Sequence, residues 1–429
     1  MAGTEGDSAV LDHFHFLRSH GCKHLEVTVR VVVFLRASAY QEPIMGQPVQ
    51  SEHDVIEAKR SFAPDPFLLT VIVLILAIGI VMVTSAGYII ASGKFGDGFH
   101  YTKKQGFSMA VGLVVMYLMS LVNPSFWKKA AGPILALGIG LLILVFIPGI
   151  GTELGGSHRW VRLPFGFYLQ PSELIKYAVI IYFARSLAQK GQGIKDFAVG
   201  FLPHVLVMGL VVLLVLIQPD FGSAVIVTTV GFMMLFVAGV RLQHLLGSAI
   251  LCLPFLFQIA ISAQYRMARL KSFFDPWGDP LNSGFQIIQS LVAFGCGGVW
   301  GVGIGKGIQK LFYLPQPHTD FIFSVVGEEL GLFGVISLII LFYLLICRGL
   351  VTAVKCGDEF HRFLAFGITA LIGLQAMVNM GVAMGLLPTK GLPLPFVSLG
   401  GTSMIANLSG LGILMAIIRV QAASGGEKQ

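Results

Sequence analysis

Charge is scarce in this sequence. Asp, Glu, Lys and Arg make up 12% of its 429 residues, about half the share carried by an ordinary soluble domain. That shortage excludes a chain whose surface lies mostly in water. Cysteine chemistry is thin as well. Cys22, Cys252, Cys296, Cys347 and Cys356 form no C-x-x-C pair, which argues against a disulfide framework or a metal cluster. The glycine run GVGIGKG (301–307) follows no strand-like segment, so a dinucleotide-binding turn is rejected. The apolar run Val27–Leu35 is broken by Arg30 and lacks a clear cleavage site, so it is not read as a signal peptide.

What is abundant is apolar residue, 55% of the chain. It does not alternate with polar residues at a period of 2 or 3.6. It comes in long unbroken blocks, the mark of membrane-spanning helices. Barrel strands are shorter and less apolar, so the expected fold is all-α. About ten spans are predicted: Phe67–Ala91, Gly106–Val122, Gly132–Pro148, Ser172–Ala188, Gly200–Ile217, Gly222–Val240, Leu246–Ser262, Phe321–Cys347, Phe363–Leu387 and Val397–Val420. Two connections are long, Gly149–Pro171 and Ala263–Asp320, and long Gly- and aromatic-rich loops between packed helices point to function. The domain division expected is a cytoplasmic tail over 1–62, a membrane domain over 63–420 with a large loop at 263–320, and a short tail over 421–429. Lys and Arg divide about evenly between alternate loops. Lys59 and Arg60, just before the first span, tip the balance toward cytoplasmic termini and periplasmic long loops. The net charge of +7 is scattered through short loops, which suits lipid headgroups or a phosphate-bearing lipid better than nucleic acid. The tail reads as disordered, as a partner-binding segment, or as an over-extended start with Met45 the true one.

Five groups of residues carry candidate chemistry. Glu173 and Lys176, in QPSELIK, share a helix face. They are either a self-neutralising pair or a polar site facing a cavity. In LPQPHTDFIFSVVGEEL, Thr319 or Asp320 opens the eighth span, with His318 before and Glu328 and Glu329 deeper. The acidic residue is either a helix cap or a general base at the membrane surface. Arg159 and Arg162 flank Trp160 in GSHRWVR, as interfacial anchors or as forks for a phosphate. Ser398, Gly400, Gly401, Thr402 and Ser403 open the last span after Lys390. Such an entry suits an anion, or close helix packing. The large loop holds YRMARL, FFDPWGDP and NSGFQIIQSL, and the stretch Phe285–Phe294 is expected to lie along the membrane surface. All of these groups fall on the predicted periplasmic side.

At these residues the chain resembles the SEDS family (FtsW, RodA, SpoVE). The resemblance runs from about Asp65 to Arg419. It rests on GSHRW, QPSELIK, QPDFGSA, YRMARL with FFDP, GFQIIQS, LPQPHTDFIFSVVGEELG and PTKGLPLPFVSLGG in order. The PTKG form, with Lys390, is closer to the FtsW branch. Gln316-Pro317, Leu399 and Thr402 depart from the usual residues. The resemblance implies a peptidoglycan glycosyltransferase of the bacterial inner membrane. It would polymerise lipid II at the division septum beside a class B penicillin-binding protein, an FtsI-like transpeptidase, and other divisome proteins. It implies Asp320 as the essential acid. Glu173 and Lys176 are the intramembrane pair, shaping the cavity and setting the protonation of Asp320. Arg159 is the R-W arginine, holding pyrophosphate with Lys390. Asp320 is expected to act as a base or as ligand to a divalent cation (Mg or Mn), with no organic cofactor. The readings held against this are a lipid II flippase, a RodA-type elongation polymerase and a non-catalytic scaffold.

Overall fold

A computed structural model describes residues 65–154, 157–162, 168–261, 264–311 and 317–425. The expectations for the N-terminal tail, Met45, Lys59 and Arg60 lie outside the described residues. Three helices come first: α1 (Pro66–Phe95), α2 (His100–Leu121) and α3 (Pro124–Leu144). A small sheet follows, β1 (Gly151–Leu154), β2 (Ser157–Arg162) and β3 (Tyr168–Leu169), antiparallel in that order. Then come α4 (Pro171–Lys190), α5 (Leu202–Ile217), α6 (Phe221–Val237), α7 (Leu242–Ile261), α8 (Gln264–Phe274), α9 (Phe285–Gly297), α10 (Ile322–Lys355), α11 (Glu359–Ala383) and α12 (Gly401–Gly425).

Each of the ten predicted spans coincides with a helix. Among the described residues, seven segments are long and apolar enough to cross a bilayer: α1, α2, α3, α5 with the turn before it, α10, α11 and α12. Of the other three, α6 is 17 residues long, and α4 carries Glu173 and Lys176 in its first turns. The helices start where local chemistry says they should. Asp65 accepts hydrogen bonds from the backbone of Phe67 and Leu68 ahead of Pro66, and Asn123 accepts from Ser125 N ahead of Pro124. An acceptor at the cap followed by Pro in the first turn satisfies amide groups that have no partner within the helix.

The core is built on α11 and α12. In α11, 78% of the spanning window is buried against 22% in α2, so α11 is central and α2 faces outward. The wide apolar exposure of α1, α2, α3 and α5, including Val73, Val114, Leu137 and Leu206, is what lipid contact requires.

The long first loop is not irregular. Its sheet was not visible as a period in the sequence because its strands are short. The stretch expected along the membrane surface is α9, and one face of it packs against the bundle. Ile287, Ile288 and Ala293 are buried, and Ser290 hydrogen-bonds Ser324 and the Ala383 carbonyl. Only its other face, with Leu291 and Val292, is exposed.

Helix α10 breaks at Gly331, where φ is 65° and ψ is −160°. A break inside a membrane leaves backbone groups that lipid cannot satisfy. The loop after α9 completes them. Val302 N and Gly303 N donate to the carbonyls of Glu328 and Glu329, and Leu332 N donates to the Gly298 carbonyl, each at 3.0 Å. The side chains reinforce this. Glu328 accepts from Ile308 N at 2.7 Å, and Glu329 pairs with Lys310 and accepts from Ser85 and Gly305 N. Glu328 and Glu329 therefore hold the loop to the helix.

A Cβ on residue 331 would meet Gly301 N at 2.3 Å, at a φ that side chains rarely adopt. Gly331→Ala is expected to destabilise the purified protein by at least about 2 kcal/mol, read as earlier thermal melting in detergent. Gly140→Ala, where a Cβ meets nothing within 4 Å, is expected to melt like the parent.

Candidate active site

The segment that carries Asp320 is clamped at three consecutive carbonyls. Leu399 N donates to the His318 carbonyl at 2.9 Å, and Ser398 Oγ donates to the Thr319 carbonyl at 2.6 Å. Asn379 Nδ2 donates to the Asp320 carbonyl at 2.9 Å and to the Leu392 carbonyl at 2.7 Å. Ser398 Oγ also accepts from Leu394 N. The turn before α10, the end of α11 and the entry to α12 are thus one unit, and the Asp320 side chain projects from an immobilised backbone. The His318 ring stacks on Tyr101 with centroids 4.4 Å apart. Burial, with help from Lys94, pushes its pKa down to about 4, so it stacks as a neutral ring.

The Asp320 carboxyl is half-buried. Burial pushes its pKa up to about 6, while Arg159 and Arg269 pull it back toward the usual range. The carboxylate lies against Gly391, whose added Cβ would sit 3.2 Å from Oδ2. Gly391 is also part of the wall of a cavity of about 160 Å³. That wall takes Arg159 from β2, Asp220 from the start of α6, Arg269 from α8 and Lys390 from the loop after α11. Lys390 Nζ sits 4.9 Å from the Phe221 ring centroid, and burial lowers its pKa.

Arg159 reaches the cavity through an irregularity. Thr152 pairs with Trp160 but Glu153 pairs with His158, so Arg159 is the extra residue of a β-bulge. Bulges re-aim a side chain out of the strand's alternation. Arg159 also lies 3.9 Å from Asp220.

The structure brings Asp320, Arg159 and Lys390 together, and it sets the remaining candidates apart. Glu173 and Lys176 pair with each other at 2.7 Å, with side chains 2% and 1% exposed. They are not on the cavity wall. Ser398 clamps the Thr319 carbonyl. Gly400 accepts from Met404 N, and Gly401 begins α12 close to Ser108. None of these three lines the cavity, and the close packing at Gly401 is what its lack of a side chain serves. Arg162 is exposed. The sequence reading missed Asp220, Arg269 and Asn379. The first two sat in motifs already noted, QPDFGSA and YRMARL, where a lone charge beside an apolar block was the available signal.

For a metal, the described residues hold no group of three or more His, Cys, Asp or Glu placed to bind one. Asp320 alone, with two arginines and a lysine nearby, is not a self-sufficient metal site. It does fit a divalent cation that arrives with substrate phosphates, which needs only one or two protein carboxylates.

The model of the cell cycle protein family of FtsW, RodA and SpoVE matches residues 66–423. The chain belongs to this family. Probable peptidoglycan glycosyltransferase FtsW from Geobacter metallireducens is 48% identical over 353 residues, covering 82% of this chain and 94% of its own. The protein of the same name from Legionella pneumophila is 42% identical over 357 residues, covering 82% and 90%. Among solved structures, a chain of a peptidoglycan synthase complex that coordinates polymerization and crosslinking aligns with TM-score 0.70 at 30% identity, covering 84% of this chain and 99% of that one. The rod shape determining protein RodA of Thermus thermophilus aligns with TM-score 0.62 at 29% identity, covering 84% and 98%. The higher identities lie on the FtsW side, as the PTKG residues implied.

A carboxyl held at about 6 lowers stability once it must ionise. Below the unfolded value of 3.8 both states are protonated and the cost vanishes. As pH rises through about 6 the folded state must take the charge, and that stability is lost. Asp320→Asn is therefore expected to melt later than the wild type at pH 7.5. The gap should close as pH falls from 6 to 4, in a pH series of melting curves. A constant gap would contradict the burial of this group.

Proposed function

We propose that this protein is a septal peptidoglycan glycosyltransferase that polymerises lipid II into glycan strands and releases undecaprenyl pyrophosphate. The observation that carries the reading is the Asp320 carboxyl, on a clamped backbone, beside a cavity walled by Arg159, Arg269 and Lys390. Glycan polymerisation joins a sugar hydroxyl to an anomeric carbon and expels a diphosphate. Asp320 takes the proton of the attacking hydroxyl. A pKa near 6 suits this task, since the group is ionised at neutral pH and still basic enough to accept a proton. As the new C–O bond forms, the bond from the anomeric carbon to the diphosphate oxygen breaks and negative charge leaves with the lipid. The three cationic side chains are placed to stabilise that charge. A diphosphate needs this more than it needs a proton, which is why one carboxylate serves where glycoside hydrolases use two. A divalent cation, where one takes part, would be held by Asp320 and would screen the phosphate charge.

The large loop and the cavity are expected to open to the periplasm, with both termini cytoplasmic. The partner is a class B penicillin-binding protein of the division site, and the similarity to a synthase complex supports a partnered enzyme. A transport reading finds less support, because the buried ions Glu173 and Lys176 neutralise each other in the packed interior instead of lining a path.

The test is polymerisation of labelled lipid II by purified protein, with and without its transpeptidase and a divalent cation. The wild type is expected to make polymer. Asp320→Ala should lose at least about a hundredfold in rate while still inserting and melting no earlier than the wild type. Normal turnover by Asp320→Ala would remove the base assignment. No polymer under any condition, with lipid crossing liposome membranes, would favour the flippase.

A further inference from the structure

Asp220 has no role in the chemistry above, yet it is the most fully bonded side chain at the cavity. It is 3% exposed. Its Oδ2 accepts from Ser172 Oγ at 2.8 Å and from Gln170 Nε2 at 3.2 Å. Its Oδ1 accepts from Ser223 N at 3.1 Å and lies 3.9 Å from Arg159 Nη1. Capping α6 uses only the bond from Ser223. The other donors fix the second oxygen, and they are themselves fixed. Gln170 N donates to Thr402 Oγ1, and Thr402 donates to the Tyr168 carbonyl, both at 3.2 Å. The entries to α4 and α6 therefore meet at one carboxylate, and Gln170 ties it in turn to the entry of α12 and the last strand of the sheet. Arg159 is the opposite case. It sits on a bulge, its Nε has no partner among the described residues, and Asp220 is the described anion within ion-pair range.

We propose that Asp220 is a positioning residue, which holds the Arg159 guanidinium in the orientation that meets a diphosphate. This rests on the polymerase reading for the identity of the leaving group. The Asp220 carboxylate does not itself bind the anion, because its oxygens are taken up by donors at the entries to α4 and α6. Its charge acts through Arg159. A planar guanidinium binds phosphate oxygens two at a time only when its plane is set, and a bulged strand alone does not set it.

Asparagine caps helices as well as aspartate does, and its oxygen still accepts from a backbone amide. Asp220→Asn thus keeps the cap and removes the charge beside Arg159. The experiment uses the full chain in detergent, as wild type, Asp220→Asn, Arg159→Lys and the double variant. Two quantities are measured: affinity for inorganic diphosphate by calorimetry, and KM and kcat for lipid II polymerisation. Each single change is expected to weaken diphosphate binding about tenfold and to lower kcat/KM for polymerisation by a similar factor. The double variant should be no worse than the weaker single one, because both remove the same interaction.

Losses that multiply to about a hundredfold would overturn the proposal. So would wild-type affinity in Asp220→Asn, earlier melting as its only defect, or a wild type that does not bind diphosphate. Coupled diphosphate binding without any polymerisation would sink the polymerase reading and leave the positioning role standing.

Discussion

A carboxylate that must ionise while half-buried depends on what surrounds it, and here the surroundings are assembled from four separate parts of the chain. The Asp320 backbone is held by Asn379 of α11, while Ser398 and Leu399, just before α12, hold the two carbonyls ahead of it. Its charge is offset by Arg159 from a bulged strand and Arg269 from α8. Burial pushes its pKa up, and the two arginines pull it back down. The balance near 6 is what lets one side chain be charged and still basic.

The same economy governs the helices. Lipid offers no hydrogen bonds, so each break in a spanning helix has to be closed by protein. The break at Gly331 is closed by the loop after α9, and Glu328, Glu329 and Lys310 lock that loop in place. The buried pair of Glu173 and Lys176 is self-contained in a similar way. These ions are costly to bury, and breaking either pair by removing one partner would leave an uncompensated charge. The charged residues so paired are set apart from Arg159, Arg269 and Lys390, which line the cavity.

The spanning helices were legible because apolar blocks of that length have few other uses. Asp320 and Lys390 were legible because a charge beside such a block demands an explanation. The position of Arg159 was legible, but the bulge that aims it was not, since a register shift leaves no composition mark. Glu328 and Glu329 were grouped with Asp320 by proximity in sequence. The fold turns them toward a loop that no local pattern connects to them. Likewise Ser398, Gly400 and Gly401 had the composition of an anion site, and the structure uses them to seat α12. Asp220 and Arg269 went unweighed because what matters about them is which distant residues they meet.

The most direct measurement is the pH dependence of kcat/KM for lipid II polymerisation by the wild type and by Arg269→Ala. The acidic limb should fall with an apparent pKa near 6, the value of Asp320. Loss of a cation that favours ionisation should move that limb to higher pH in Arg269→Ala. A limb that lies near pH 4, or one that does not move when Arg269 is removed, would contradict Asp320 as a base tuned by burial against its two arginines.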